Sequence, residues 1–244
     1  MKTRPTRAAI VAVTTLTLAN PSAHAATTVW NVNIGTQITT SDDFAGAAPE
    51  NTVANSFWNS APTSAGSMAL ADATGSSSAG VTLTLAGSLA GGTRAITGPE
   101  IFATFTKAPD NATPFPMTIG GLSTGVTYDL VVYSDWFWKG NATFPVTQTV
   151  GSGLIGTVTL DQISTGTNGT VPGLVEDTDL SANGAVEGNW IRITGLTPDS
   201  NGDLGLNISG TNAAFSGFQL VQIPEPSAAL LGSFGLLALL RRRR

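Results

Sequence analysis

The chain has 244 residues, 41% of them hydrophobic, with 28 glycines, no cysteine, one histidine and a formal net charge of −5. That is enough for one sizeable folded domain with appendages, and it excludes a disordered chain, disulfides, thiolate metal centres and cysteine nucleophiles. Between residues 26 and 223 four cations, Arg94, Lys107, Lys139 and Arg192, stand against fifteen Asp and Glu, which excludes a face for nucleic-acid backbones.

The opening "MKTRPTRAAIVAVTTLTLANPSAHAA" carries Lys2, Arg4 and Arg7, an apolar stretch over 8–19, the breaker Asn20-Pro21 and the small-residue pattern Ala23-His24-Ala25. This predicts a secretory signal peptide, a helix within 1–25 that is removed after Ala25. Cleavage there takes away His24, the one histidine, and leaves a body without His or Cys. Ser-His-Asp triads, histidine-ligated zinc and histidine bases are then ruled out, and carboxylates remain as the main acid–base groups. A body of this size does without disulfides because its core is large enough.

Over 26–223 short β-type runs alternate with Gly, Asn, Asp, Ser and Pro. In chain order they are "TTVWNVNIG", "VTLTLAG", "EIFATFTK", "FPMTIGGL", "VTYDLVVYSDW", "FPVTQTVG", "IGTVTLDQI", "NWIRITGL", "LGLNISG" and "FSGFQLVQI". Val126, Tyr128, Leu130 and Val132 fall on one strand face and Thr127 and Asp129 on the other; Leu204, Leu206 and Ile208 alternate likewise with Gly205 and Asn207. The serine- and glycine-rich stretches 73–80 and 86–93 read as loops. No helical apolar period lies between the termini, which argues against βαβ units, and no internal repeat points to a propeller or solenoid. The expectation is all-β: a single β-sandwich, jelly-roll-like, with Trp30, Trp58 and Trp190 in its core. "GLSTGVTYDLVVYSDW", then "GNWIRITGLTPDSNGDLGLNISG" and the closing "FSGFQLV", is similar to the arrangement in galactose-binding-like jelly-roll domains. That resemblance implies the fold of the second half of the body.

Three loops carry candidate chemistry. "SDWFWKGNATF" places Asp135, Trp136, Trp138 and Asn141 together; in an extended chain the two indoles share a face that could stack on a sugar ring while Asp135 or Asn141 bonds hydroxyls. The alternative is that the indoles cap the sandwich core. "VEDTDL" supplies Glu176, Asp177 and Asp179, either a carboxylate pair for glycoside hydrolysis or a solvated acidic loop. "DSNGD" offers Asp199, Asn201 and Asp203 at alternating positions, as Ca²⁺ ligands or as a tight hairpin turn at Asn201-Gly202. An EF-hand fails, because Leu204 and Gly210 occupy the positions that need Gly and Glu. Gly91-Gly92 lacks the ending of a phosphate loop.

The chain closes with Pro224, Glu225 and Pro226, a mostly apolar segment over 227–240, and Arg241, Arg242, Arg243 and Arg244. As helix the apolar segment covers about 21 Å, short of the roughly 30 Å of a hydrocarbon core. The prolines extend it into the interface and arginines snorkel to the headgroups. Four arginines also act as a cytoplasmic stop under the positive-inside tendency, leaving the body outside.

Together with the N-terminal leader, this tail resembles the PEP-CTERM protein-sorting signal of exported bacterial proteins. The resemblance implies an exosortase-type membrane transpeptidase as partner, with Pro224, Glu225 and Pro226 as its motif. It also implies a transient anchor in the inner membrane of a Gram-negative-type envelope, and an association with exopolysaccharide or extracellular matrix. The expected organisation is a signal peptide over 1–25, a β-sandwich domain over 26–223 and a sorting segment with a short membrane helix over 224–244. The expected function is that of an exported envelope or matrix protein, not an enzyme and without an obligatory cofactor, whose body binds carbohydrate. The alternatives are a carboxylate-dependent polysaccharide hydrolase or lyase, and a structural, calcium-stabilised surface domain.

Overall fold

The computed structural model describes residues 28–35, 56–93, 101, 104–107, 115–134, 143–150, 153–161, 174–178, 188–208 and 214–224. These residues form strands and connections, with no α-helix among them. The strands are β1 (Val29–Ile34), β2 (Trp58–Ala61), β3 (Gly66–Ala71), β4 (Ser77–Leu85), β5 (Ala90–Thr93), β6 (Thr104–Lys107) and β7 (Phe115–Gly120). They continue with β8 (Thr127–Tyr133), β9 (Thr143–Val150), β10 (Gly153–Asp161), β11 (Trp190–Leu196), β12 (Leu204–Ile208), β13 (Ala214–Phe215) and β14 (Gly217–Ile223). Residues 1–25, expected as a signal peptide, and the expected sorting segment beyond Pro224 lie outside the described residues.

Two sheets face each other, one in the order β11-β8-β14-β1-β2 and the other β10-β9-β12-β7-β4-β3; β13, β6 and β5 form a third, small sheet. Among the described strands, pairing is antiparallel except between β1 and β2. Every second residue of the inner strands enters one shared core. Trp30, Val32 and Ile34 come from β1, Tyr128, Leu130 and Val132 from β8, and Phe218 and Leu220 from β14; they meet Leu83, Leu85, Met117, Ile119, Leu204 and Leu206 of the opposite sheet. The expected alternation in β8 and β12 is present, with Val126 packed against the same core. Period-two side-chain direction is what lets two sheets enclose one apolar layer.

Strands β2, β3 and β5 escaped the sequence reading, and β13 and β14, which lie in different sheets, were read as one run. Residues 77–80 belong to β4 and 90–93 to β5, not to loops. Their Ser, Ala and Gly residues carry little apolar pattern, and neighbouring strands impose the extended conformation instead. β3 is held in register by β4, with Ser67 opposite Thr84 and Met68 opposite Leu83.

The two ends of the sandwich differ. At the near end Val29 pairs with Val221 and Thr127 with Ile223, and the N–H of Gln222 donates to Thr28 O at 2.8 Å. The first and last described residues therefore sit side by side there. Connections at this end are short: 72–76, 121–126, 151–152 and 197–203. At the far end Tyr133 pairs with both Gly217 and Trp190. The connections that start and finish there are 62–65, 86–114, 134–142, 162–189 and 209–216, and all but the first contain residues that carry candidate chemistry or a further strand. Loops gathered on a rigid frame are where binding groups are usually borne.

Candidate functional site

The outer face of the five-stranded sheet holds what the sequence reading missed. In β1, Asn31 and Asn33 alternate with the core residues and point away from them, as does Gln219 in β14; alternation of this kind normally marks a solvated face. Yet Asn31, Asn33 and Gln219 are all 0% exposed. The Tyr133 hydroxyl donates to Gln219 Oε1 at 2.6 Å, Gln219 Nε2 donates to Asn31 Oδ1 at 2.7 Å, and Asn31 Nδ2 donates to Phe57 O at 2.9 Å. Asn59 extends the chain of bonds: its Nδ2 donates to Asn31 O and to Ala71 O, and its Oδ1 accepts the Ala71 N–H. Its amide thus pairs with β3 as a strand would, tying the edge of one sheet to the edge of the other.

An apolar layer covers this amide ladder. Trp58, Ile101, Val131, Tyr133 and Trp190 form a second buried cluster with Leu174 against it. Trp58 and Tyr133 rings lie 6.3 Å apart and tilted by 59°. Of the three tryptophans expected in the core, Trp30 is in the main core while Trp58 and Trp190 are buried in this outer layer. Burial pushes the Tyr133 phenol well above its ordinary pKa, because the phenolate would be formed away from water. The ladder is thus built from neutral amides and a phenol that stays protonated: it offers hydrogen bonds, not proton transfer.

Beside the ladder, the Asp129 carboxylate accepts the Gly195 N–H at 3.0 Å and faces Arg192 Nη1 at 3.5 Å. Gly195 has φ of +73° and sits where the β11–β8 register shifts between Ile193 and Leu196, so Asp129 fastens a bulge. Asp129, read as an outward strand residue, is only 8% exposed.

The acidic stretch at the far end is drawn inward at Asp177, while Glu176 stays partly exposed. Asp177 is 1% exposed, its N–H donates to Trp190 O at 2.9 Å, and Glu176 bridges to Trp190 in parallel. Asn189 Oδ1 accepts the Val175 N–H, and Ser134 N–H donates to Asn189 O. These bonds lay 174–178 along the edge of the five-stranded sheet, and backbone pairing against Trp190 takes Asp177 out of water. Gly188 permits the approach, since a Cβ there would lie 2.3 Å from the Asp177 nitrogen. Asp179 lies outside the described residues.

Asp199, Asn201 and Asp203 form a turn closed by its own hydrogen bonds. Asp199 Oδ1 accepts the N–H groups of Asn201 at 2.8 Å and Asp203 at 2.9 Å, the Asp199 N–H donates to Asp203 O, and the Gly202 N–H donates to Asp199 O. Residues 72–76 repeat the pattern bond for bond: Asp72 Oδ1 accepts from Thr74 and Ser76, Asp72 N–H donates to Ser76 O, and Gly75 N–H donates to Asp72 O. The fourth residue is a glycine in the left-handed region in both, Gly75 at +82° and Gly202 at +83°. The 72–76 turn offers Thr and Ser where 199–203 offers Asn and Asp, so the shared geometry comes from the leading aspartate and the glycine. The turn at Gly202 is as expected, but the hairpin is not: β11 and β12 belong to different sheets. Among the described residues, no three Asp, Glu or His side chains converge as a metal site.

Asp135, Trp136, Trp138 and Asn141 lie outside the described residues, as do Glu225, Pro226 and Arg241 to Arg244. The chain enters 135–142 from Ser134, buried at the far end. An apolar groove of about 190 Å³ opens at the far edge, where Ala61 at the end of β2 and the Pro62 that follows it meet Met68, Leu83 and Leu85 of the other sheet. No protein-family model matches the chain, and no curated protein matches it. Among the described residues no helix is long and apolar enough to cross a membrane.

Proposed function

We propose that this chain is an exported cell-envelope or extracellular-matrix protein. In this reading a signal peptide delivers it, its β-sandwich body works outside the inner membrane, and a PEP-CTERM tail hands it to an exosortase-type transpeptidase. The observation that carries the proposal is the ordered tail: Pro224, Glu225 and Pro226, the apolar segment 227–240, then Arg241 to Arg244. The fold supports it in one respect. Thr28 and Pro224 adjoin neighbouring central strands at the near end, so leader and tail both attach on one side and the far end is left free.

The body, in this proposal, is a galactose-binding-like jelly roll that binds carbohydrate or matrix polysaccharide without transforming it. Asp135, Trp136, Trp138 and Asn141 follow directly on Ser134 at the free end, which is the end away from the tail. Indoles stack on sugar rings and amide or carboxylate groups take the hydroxyls. Removing residues 224–244 is expected to release the protein, unanchored and unprocessed, into the medium; unchanged fractionation would sink the sorting reading. On a glycan array the purified protein is expected to bind, and Trp136→Ala or Trp138→Ala to weaken binding about tenfold. Binding to no glycan would remove the carbohydrate reading and leave the sorting reading intact.

A further inference from the structure

β3 is the last strand of the six-stranded sheet, and the direction of its backbone groups can be fixed from two sides. The Ala86 N–H donates to Pro116 O of β7, so Thr84 and Thr82 turn their backbone groups to β7 as well. Leu85 and Leu83 then turn theirs to β3, where they stand opposite Gly66 and Met68. Ser67 and Ala69 therefore direct their N–H and C=O groups away from β4. Ala71, at the same alternation, does so too, and there the Asn59 amide takes both groups. Asn59 thus closes the edge at Ala71, whereas among the described residues nothing pairs with the outward backbone of Ser67 or Ala69, both exposed. The β11 edge of the other sheet, by comparison, is covered by 174–178. Folded proteins commonly guard an open edge with charge or proline, and "GSMALA" has neither.

We propose that this edge pairs with a second copy of the chain, β3 against β3, antiparallel about a two-fold axis through Met68. Charge decides for a second copy as the occupant. Between residues 56 and 93 Asp72 is the one charged side chain, while the body as a whole sets fifteen acids against four cations. Another copy carries the same acid excess and is repelled over the rest of the body, but it meets no like charge across β3. In this register Ser67 of each copy stands opposite Ala69 of the other, and each pair exchanges both of its N–H to C=O bonds. One edge satisfies the other, as a two-fold interface requires. Met68, packed partly against the main core, lies on the axis beside its copy at the mouth of the groove formed with Ala61, Pro62 and Ala65. Its flexible thioether suits an irregular apolar seam. A register moved along to Ala71 would meet the Asn59 amide instead of free backbone.

Sedimentation equilibrium of the purified full chain in mild detergent, from about 1 μM to about 1 mM, is expected to show a monomer passing into a dimer. Ala69→Pro removes an outward N–H that its own sheet does not use, and is expected to weaken the dimer at least about tenfold. Should that variant fail to fold, Ser67→Glu with Ala69→Glu sets acids against each other across the seam and is expected to weaken it likewise. Ser67→Glu with Ala69→Lys sets opposite charges face to face and is expected to keep the dimer. Every variant retains the whole chain, so association through any other surface cancels in the comparison. The register has its own test, because the chain has no cysteine. Met68→Cys places one thiol on the axis, in a pair with Cα atoms about 4.5 Å apart, within disulfide reach. Under mild oxidation it is expected to cross-link two copies at least about tenfold faster than Thr84→Cys on the exposed face. A monomer over the whole range would leave the edge to a strand of another protein and overturn the second copy as its occupant. A dimer that both edge variants leave unchanged, or cross-linking at Met68→Cys no faster than at Thr84→Cys, would overturn the proposal as well.

Discussion

The two outer faces of the sandwich are built on opposite plans. On the six-stranded sheet β4 alternates strictly, with Val81, Leu83 and Leu85 buried and Thr82 and Thr84 turned outward; Ser67, Thr84 and Thr118 line up across β3, β4 and β7. Thr84 Oγ1 donates to Ser67 Oγ at 3.1 Å on an exposed surface. The five-stranded sheet carries its outward polar groups under a second apolar layer, so β1, β8 and β14 are buried almost throughout on both faces. Hydroxyls in water lose little when a partner is removed, because water replaces it. Amides sealed under tryptophan lose the whole bond. The same period-two pattern thus has a weak meaning on one face and a strict one on the other.

The comparison breaks most severely at Gly217. A Cβ there would lie 2.2 Å from Val32 O, where β14 runs against β1. Gly217→Ala is expected to cost more than about 3 kcal/mol or to prevent folding, since neither backbone can shift without opening the sheet. Urea unfolding followed by tryptophan fluorescence measures it.

Gln219→Leu comes next, at about 3 kcal/mol, because it leaves the Tyr133 hydroxyl and Asn31 Oδ1 buried without this partner. A cost below about 0.5 kcal/mol would mean that water reaches the ladder. Tyr133→Phe removes a single donor and is expected to cost about 1–2 kcal/mol at neutral pH. It carries a pH signature as well. The folded phenol holds its proton to higher pH than the unfolded one, so its contribution is complete below the unfolded pKa and fades as pH rises beyond it. Wild type is therefore expected to lose stability above about pH 10 more steeply than Tyr133→Phe does.

The near-end turns provide an intermediate case. Asp199→Ala and Asp72→Ala should each cost about 1 kcal/mol, and Asp199→Asn, which keeps the accepting oxygen, should cost less. A chelator is expected to leave Tm unchanged; a drop would show that an ion adds to the closure by the turn's own amides. The smallest effect is expected at Thr84→Ala on the solvated face, within about 0.5 kcal/mol.

Much of the fold was legible because it rests on alternation: β1, β4, β7, β8, β11, β12 and β14 all announce themselves by apolar residues at every second position. β2, β3 and β5 did not. "WNSA", "GSMALA" and "AGGT" have no pattern of their own, and their pairing partners decide them. The burial of Asp177 was not legible for a related reason, since only backbone pairing with Trp190 carries that acidic stretch inward.

Within the amide ladder, Asn at alternate positions of β1 and Gln in β14 was visible, but water was the expected partner. Its one sequence-level sign was the tryptophan that opens each of β2 and β11, Trp58 and Trp190, which could have pointed to a second layer.

The sequence by itself determined the class of fold, the positions that fill the main core, and the lack of cysteine, histidine and basic surface in the body. It also set out the basic and apolar N-terminal stretch, expected as a leader, and the Pro-Glu-Pro tail on which the functional proposal stands. Those features depend on composition or on local order along the chain. Only the tertiary structure decided which outward face is wet, that two aspartate–glycine turns share one geometry, and that the first and last strands lie together at one end with the tail starting where β14 stops. Each of these depends on contacts between residues far apart in sequence, and alternation along a strand does not say what covers it.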